Sequence, residues 1–413
     1  MEKSKKAKGA ERIETAEIRS GHALDSLQER LEPSKAGAEQ SGRSFLTRRE
    51  FITGSAAFVT LLSTGLLPTD AETKEQLFEA RYYERLENEE IQCKLCPKEC
   101  KIGDRERGYC GARENRKGTY YSLVYGQPCA IHLDPIEKKP FFHVMPGTMA
   151  LSFSTVGCNV ECKFCQNWEI SQSRPEQVYT RFTPPDAIVD KALAVKADSI
   201  AYTYGEPVIF IEYMQDTAKI ARSKGVKSVV VTNGYINKKP LDDLCNLVDA
   251  IKIDLKAFDD KYYVDIVSGN LKPVLDSITH IFKRGIWLEI VYLMVPTLND
   301  DMSKIRDMAK WILDNTADYV PVHFSRFFPQ YRLKNLPPTP VSSLETAANI
   351  LKEEGMKFVY IGNVPGNKFE NTYCPSCSKE IISREGYRVK EMHVRYGRCE
   401  YCGAKIPGLW LGG

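Results

Sequence analysis

A surplus of charge is the first thing this sequence lacks. Its 57 Lys and Arg nearly match its 54 Asp and Glu, for a formal net charge of +3 over 413 residues. That balance gives no argument for nucleic acid or an anionic membrane as partner. Long uncharged apolar runs are missing outside the N-terminal region, so nothing further along is suited to span a bilayer. A disulfide framework is missing too. There are thirteen cysteines, but eleven fall into three short clusters, at 93–110, 158–165 and 374–402, and such spacing reads as metal sites. Cys129 and Cys245 stand apart as ordinary thiols. The hydrophobic content of 43% supports a sizeable core, and the length suggests two or three folded units.

The middle cluster follows an apolar, strand-like run and Gly157. Cys158, Cys162 and Cys165 stand in C-x3-C-x2-C spacing, so three thiolates on one loop can face a common centre. A closed structural zinc site wants four ligands. An iron–sulfur cluster with one iron left open needs three from protein, and the open iron can take a small molecule. A zinc or disulfide loop is the plainer alternative. With Phe164 just before the third cysteine, the stretch resembles the radical S-adenosylmethionine (SAM) superfamily. The resemblance implies a [4Fe-4S] cluster on Cys158, Cys162 and Cys165. It also implies SAM chelated at the open iron, a low-potential electron donor of flavodoxin or ferredoxin type, and a 5′-deoxyadenosyl radical. The cofactor does the hard chemistry and the protein orients it.

From 148 to 367 short β-branched runs alternate with helical ones. Strands are expected at 149–156, 199–204, 228–232, 250–255, 286–295, 319–325 and 357–361. Helices are expected at 185–197, 208–224, 239–248, 270–284, 300–315 and 342–355. Thr183-Pro184-Pro185-Asp186 and Asn299-Asp300-Asp301 are helix starts. This alternation predicts an α/β fold, a partial (β/α) barrel of parallel strands with right-handed crossovers. In such barrels chemistry sits where strands end, and the cysteine loop follows the first strand.

The other strand ends carry polar residues. The second runs into Tyr204-Gly205-Glu206-Pro207. Superfamily members place a Gly-Gly-Glu-Pro turn here, its backbone thought to hold the amino group of SAM; this chain has Tyr204 for the first glycine. The third ends Thr232-Asn233-Gly234 and the fourth Asp254-Leu255-Lys256. These resemble glycyl-radical activating enzymes of the pyruvate formate-lyase activase type. That resemblance implies Asp254 on the SAM ribose and Lys256 on its carboxylate, a sensible pairing of charges. It also implies Val291 and Leu293 beside adenine, with His323 and Arg326 pointing at the barrel mouth. A satisfied core histidine is the bland reading of His323.

The N-terminal 1–43 is rich in Lys, Glu, Ser, Ala and Gly and reads as a disordered extension. Residues 44–71 hold Arg48-Arg49, Phe51 and a weakly apolar run ended by Pro68, and look like a twin-arginine export signal. Such a signal suggests export or membrane association, whereas SAM chemistry suggests the cytoplasm. Residues 72–147 form a cysteine-rich module. It opens with a helix expected over 72–90, striped by Leu77, Phe78, Tyr82 and Leu86. Cys93, Cys96, Cys100 and Cys110 follow, able to hold zinc or a second iron–sulfur cluster. Lys138, Lys139 and His143 touch substrate or cluster, or else make surface salt bridges. At the C-terminus, 368–413 pairs Cys374 and Cys377 with Cys399 and Cys402 in two C-x2-C knuckles. These read as a four-thiolate zinc-ribbon or rubredoxin-like unit holding zinc or iron, structural in role because so short a tail has little core of its own. A nucleic-acid ribbon is the alternative, and the charge balance opposes it.

From residue 91 onward the chain looks most like the AmmeMemoRadiSam-system radical SAM enzymes. Cys93-x2-Cys96-Pro97, Asp134-Pro135-Ile136-Glu137-Lys138-Lys139 and His323-Phe324-Ser325-Arg326-Phe327 carry that likeness. It departs at Phe328, where histidine is expected. The resemblance implies association with Memo-like and AMMECR-type proteins. The rivals are a true glycyl-radical activase and a non-enzymatic multi-cluster electron carrier, the latter having no use for Glu206, Asp254 and Lys256.

Overall fold

The alternation of apolar runs becomes one sheet. In the computed structural model, which describes residues 77–411, seven strands run parallel in chain order. They are Met149–Ser154, Ser199–Tyr202, Lys227–Thr232, Ala250–Asp254, Trp287–Met294, Val322–Arg326 and Val359–Gly362. The crossovers are carried by helices Pro185–Ala194, Ile211–Ser223, Lys238–Cys245, Leu271–Lys283, Met302–Asn315 and Val341–Glu353. Local chemistry starts them as expected: Pro185 sits at the first helical position after Pro184, and the Asp301 carboxylate accepts from Ser303 N at 2.8 Å. An eighth strand, Ala130–Pro135, pairs antiparallel with the first. Half exposed and ending in proline, it has no buried-strand signature in the sequence.

The strands bury both faces, which is why they read as nearly continuous apolar runs. Leu151, Phe153, Ile200, Val230, Ile251, Ile253 and Ile290 join the helices in the main core. The opposite face is lined near the strand starts by Ala150, Ala201, Val229 and Ala250. These small side chains leave room for the chain's own Ile136, Phe141, Val144 and Met145, which pack against them as a plug. The barrel is thus closed at its floor, and its working end is where the strands finish.

The C-terminal segment buttresses the floor. Strands Thr372–Tyr373, Glu380–Glu385 and Arg388–Met392 form a small antiparallel sheet. Ile381, Ile382, Val394 and Ile406 pack with Phe142, Phe358 and Tyr360. Buried Arg384 donates to Phe142 O at 3.0 Å and Thr372 Oγ1 at 2.8 Å.

The helix expected over 72–90 is not formed in its described part. Phe78–Glu79 and Tyr83–Arg85 are strands, and Tyr82 lies at φ 61°, which a right-handed helix does not tolerate. The aromatic stripe is used otherwise: Phe78 stacks on Tyr125 at 4.0 Å, and Tyr82 OH donates to Asp243. The twin-arginine stretch and the extension before it lie outside the described residues. Among those described, no helix is long and apolar enough to cross a membrane.

Candidate active site

The cysteine loop leaves the first strand at its finishing end. Gly157 turns it at φ 104°, and a Cβ there would meet Cys110 O at 2.7 Å, so only glycine lets the loop lie against that backbone. Cys162 is buried, and Cys158 and Cys165 are half-buried. Ser171 Oγ lies 3.1 Å from Cys165 Sγ. Asn233 Nδ2 lies 3.9 Å from Cys158 Sγ and donates to Asn159 Oδ1 at 2.8 Å. Burial pushes the Cys162 thiol up to about 12, against the pull of the Lys256 ammonium. Thiols held this way deprotonate readily only when metal takes the proton's place.

The second strand end is built around a strained tyrosine. Tyr204 sits at φ 65°, the left-handed region that favours glycine, so the backbone keeps the shape the superfamily's first glycine would give. Its carbonyl accepts from Asn167 Nδ2 at 2.6 Å. Its side chain is put to use: the hydroxyl donates to Asp134, and Lys139 Nζ lies 4.3 Å over its ring. Gly205 has no room for a Cβ, which would stand 2.8 Å from Ser154 Oγ. Glu206 is buried, and its carboxylate accepts from Val208 N, Thr232 Oγ1 and Asn233 N at 3.0, 2.6 and 2.8 Å. Burial raises its pKa to about 6 against those donors. Glu206 therefore fastens the second strand end to the third, and the turn's backbone is what remains to face a ligand.

Opposite, the fourth strand sets Asp254 between two lysines. Lys256 Nζ donates to it at 2.8 Å and Lys252 donates to its other oxygen. Burial would raise Asp254, but the two ammonium groups hold it down at about 2. Lys256 lies 6.0 Å over the Phe164 ring, so this charged group reaches back to the cysteine loop. Val291 stands in register with both Asp254 and His323, and Leu293 follows it one residue pair further along the fifth strand.

Other expected residues lie elsewhere. His323 does not point at an open mouth. It is 1% exposed and donates from Nε2 to Glu289 at 2.7 Å. Glu289 also accepts from Phe142 N, His143 N and Trp287 Nε1, so His323 helps pin the plug to the barrel. Arg326 donates to Thr339 O at 2.9 Å and lies against Phe328. Lys139 and His143 are no surface residues, being 2% and 0% exposed. Lys139 and Lys138 both bind Asp134, and burial lowers Lys139 to about 8 against the pull of Asp134. Lys252, Asn159, Asn167 and Ser171 line the site without having been singled out. The polar residues inside and just after the cysteine loop, and the lysine two before Asp254 on the same strand face, are the signals that could have found them.

The two cysteine quartets differ. Cys374 Sγ and Cys402 Sγ are 3.6 Å apart, and Cys377 Sγ and Cys399 Sγ 3.8 Å. This is the only group of three or more potential metal ligands among the described residues with all its ligand atoms within 4.8 Å of one another. Cys93, Cys96, Cys100 and Cys110 line one hollow together without meeting that limit.

Residues 152–312 match the radical SAM superfamily, the stretch from the first strand to the helix before the sixth. An uncharacterized protein of Methanocaldococcus jannaschii is 44% identical over 330 residues, 79% of this chain and 98% of that protein. The pyruvate formate-lyase 1-activating enzyme of Escherichia coli K12 is 20% identical over 229 residues, 52% of this chain and 93% of that one. Among solved structures, a domain of a pyruvate-formate lyase-activating enzyme from Bacteroides vulgatus is 17% identical. It covers 40% of this chain and all of that domain, with a TM-score of 0.37. Residues 152–312 thus carry a radical SAM domain, and the chain is an enzyme. Such a domain implies a [4Fe-4S] cluster, SAM and an electron donor; soft thiolates on a buried loop suit such a cluster.

Proposed function

We propose that Cys158, Cys162 and Cys165 hold the [4Fe-4S] cluster and that this enzyme cleaves SAM reductively to abstract hydrogen from a substrate the site does not name. The observation that carries the reading is the meeting, at one end of the parallel strands, of the three-cysteine loop with the Asp254–Lys256 pair. The bound cluster would supply one electron to SAM, breaking a C–S bond and giving a 5′-deoxyadenosyl radical. The chain's own residues bind and orient. The backbone at Tyr204 and Gly205, held in glycine-like shape, would receive the amino group. Lys256 would pair with the carboxylate and Asp254 with ribose hydroxyls, Lys252 keeping Asp254 ionised. Val291 and Leu293 offer an apolar surface for adenine. Glu206 acts through the strand ends it ties, as a positioning residue.

The C-terminal quartet would hold a single zinc, or rubredoxin-like iron, in a ribbon-like unit. Its sulfur separations suit a tetrahedron of metal–sulfur bonds near 2.3 Å, whose edge is about 3.8 Å. Its role would be structural, since the segment braces the plug. Memo-like and AMMECR-type proteins as partners, and a twin-arginine signal in 44–71, are further parts of this reading and rest on sequence resemblance. A glycyl-radical activase is the second reading, favoured by the likeness to the Escherichia coli enzyme.

The test is anaerobic reconstitution with dithionite and SAM, reading 5′-deoxyadenosine. The parent should form it, and Cys158→Ala, Cys162→Ala and Cys165→Ala should each fall to background. Unchanged cleavage in any one of them sinks the assignment of the cluster.

A further inference from the structure

We infer that Cys93, Cys96, Cys100 and Cys110 hold a second four-iron cluster, not a single zinc ion, directly behind the loop proposed for the first. These four thiols line one hollow, together with Leu95, Tyr120 and Ile209. The two quartets of this chain have the same donor atoms in different spacing. The C-terminal one is drawn in to single-ion separations. No three sulfurs of the N-terminal one come within 4.8 Å of one another, although tight backbone links hold the segment in place. Cys93 N donates to Cys100 O at 2.9 Å, and Glu99 N to Cys96 O at 3.0 Å. Sulfurs fixed wide around a space suit a body with its own volume, as a cubane cluster has, better than one ion.

The surroundings suit a negatively charged tenant. Cations line the hollow at Lys98 and Arg113, and no carboxylate does. Arg113 is fully buried and paired with Glu212 at 2.5 Å. Tyr109 N points at Cys100 Sγ at 3.4 Å, the kind of backbone donor that tunes a thiolate-bound cluster. The hollow also lies next to the active site. Asn159, one residue after Cys158, forms part of its wall, and Gly157 packs on the Cys110 carbonyl. A cluster here is placed to pass single electrons from an external low-potential donor to the first. That role, unlike the site itself, rests on the proposed function.

Acid-labile sulfide decides the matter, because neither zinc nor a rubredoxin-like iron contributes any. Full-length protein purified and reconstituted anaerobically should carry about eight sulfides per chain. The triple variant Cys158→Ala/Cys162→Ala/Cys165→Ala should keep about four, with a dithionite-reduced electron paramagnetic resonance signal that SAM does not alter. Conversely, Cys96→Ala/Cys110→Ala should keep about four sulfides and a signal that SAM does alter. The second variant keeps the test open if the first does not fold. A parent with about four sulfides, all lost in the triple variant while zinc remains, overturns the second cluster. A Cys96→Ala/Cys110→Ala protein whose signal ignores SAM counts instead against the first assignment.

Discussion

The two ends of the barrel both bury charge, and they use it differently. At the floor Glu289 and His143 have their hydrogen-bonding groups engaged. Glu289 accepts four hydrogen bonds, from two backbone amides, an indole and an imidazole. Both His143 ring nitrogens are engaged, Nδ1 with Pro407 O at 2.7 Å and Nε2 with Tyr360 OH at 2.6 Å. At the finishing end the charges are arranged toward one another and toward thiols: Lys252 and Lys256 on Asp254, Lys256 over Phe164. A saturated polar network specifies a packing. A like number of charges converging beside three thiols specifies a place for a charged ligand. The comparison separates residues that hold the barrel shut from residues that would hold a cofactor, although both sets are buried and polar.

The largest effect that sharpens this contrast after loss of the loop cysteines is expected at Glu289. Glu289→Ala strands His323 and two backbone amides in the floor. Breaking one side of a buried network costs roughly 3–5 kcal/mol. The expected result is a large drop in the denaturant midpoint, with the reconstituted cluster's absorbance retained in the protein that remains folded. Unchanged stability with lost SAM cleavage would mean that the floor takes part in binding.

The floor should also show itself in pH dependence through His143. Burial lowers its pKa to about 4, with Glu289 opposing and Arg384 and His323 adding to the shift. The neutral ring donates from Nδ1 to Pro407 O and accepts from Tyr360, so protonation would break the second bond. An unfolded histidine titrates near 6.5. Between about 4 and 6.5 the unfolded chain therefore binds more protons than the folded one, and stability must rise with pH across that window. The full contribution is roughly 3 kcal/mol. Denaturant midpoints of parent and His143→Gln, measured from pH 4.5 to 7, should differ in slope, the variant being flatter. Parallel slopes would remove His143 from the account.

This division was only partly legible in the sequence. The seven parallel strands and six crossover helices were, because apolar runs of strand and helix length alternate between clear turn residues. The cysteine loop and the Asp254–Lys256 end were, because spacing and strand position carry them. The plug was not. Its partnerships join residues far apart in the chain, as Tyr204 to Asp134 and His143 to Tyr360, so Lys139 and His143 looked like surface residues in a polar connector. His323 misled for the same reason: a histidine on the inner face of the sixth strand was expected at the mouth, and only the fold brings Glu289 to it. The 77–90 stretch carried a helical stripe that tertiary anchoring of Phe78 and Tyr82 overrode.

At the finishing end the expected effects fall on affinity. On the proposed reading, Asp254→Asn or Lys256→Met would remove a charged hydrogen bond to SAM, worth roughly 1.5–3 kcal/mol or about ten- to a hundredfold in Kd. The four-iron absorbance should persist in both. Parent-like SAM binding in both variants would place the ligand elsewhere along the strand ends and dissolve the contrast drawn above.

The smallest effect tests how the two ends are joined, at Tyr204. A tyrosine at φ 65° carries a backbone cost of roughly 1–2 kcal/mol that glycine escapes. In return its hydroxyl binds Asp134 and its ring takes Lys139, tying the turn after the second strand to the start of the plug. Tyr204→Gly loses those contacts and relieves the strain; Tyr204→Ala loses the contacts and keeps the strain. Glycine should therefore be more stable than alanine by about 1 kcal/mol, with the parent within about 1 kcal/mol of glycine, read from denaturant midpoints. SAM affinity should stay near the parent's in Tyr204→Gly, because its backbone can adopt the same turn without strain. Equal stability of the glycine and alanine variants would show that the left-handed backbone is not a cost here. A marked loss of SAM affinity in the glycine variant would show that the tyrosine side chain, and not the shape of the turn, serves the ligand.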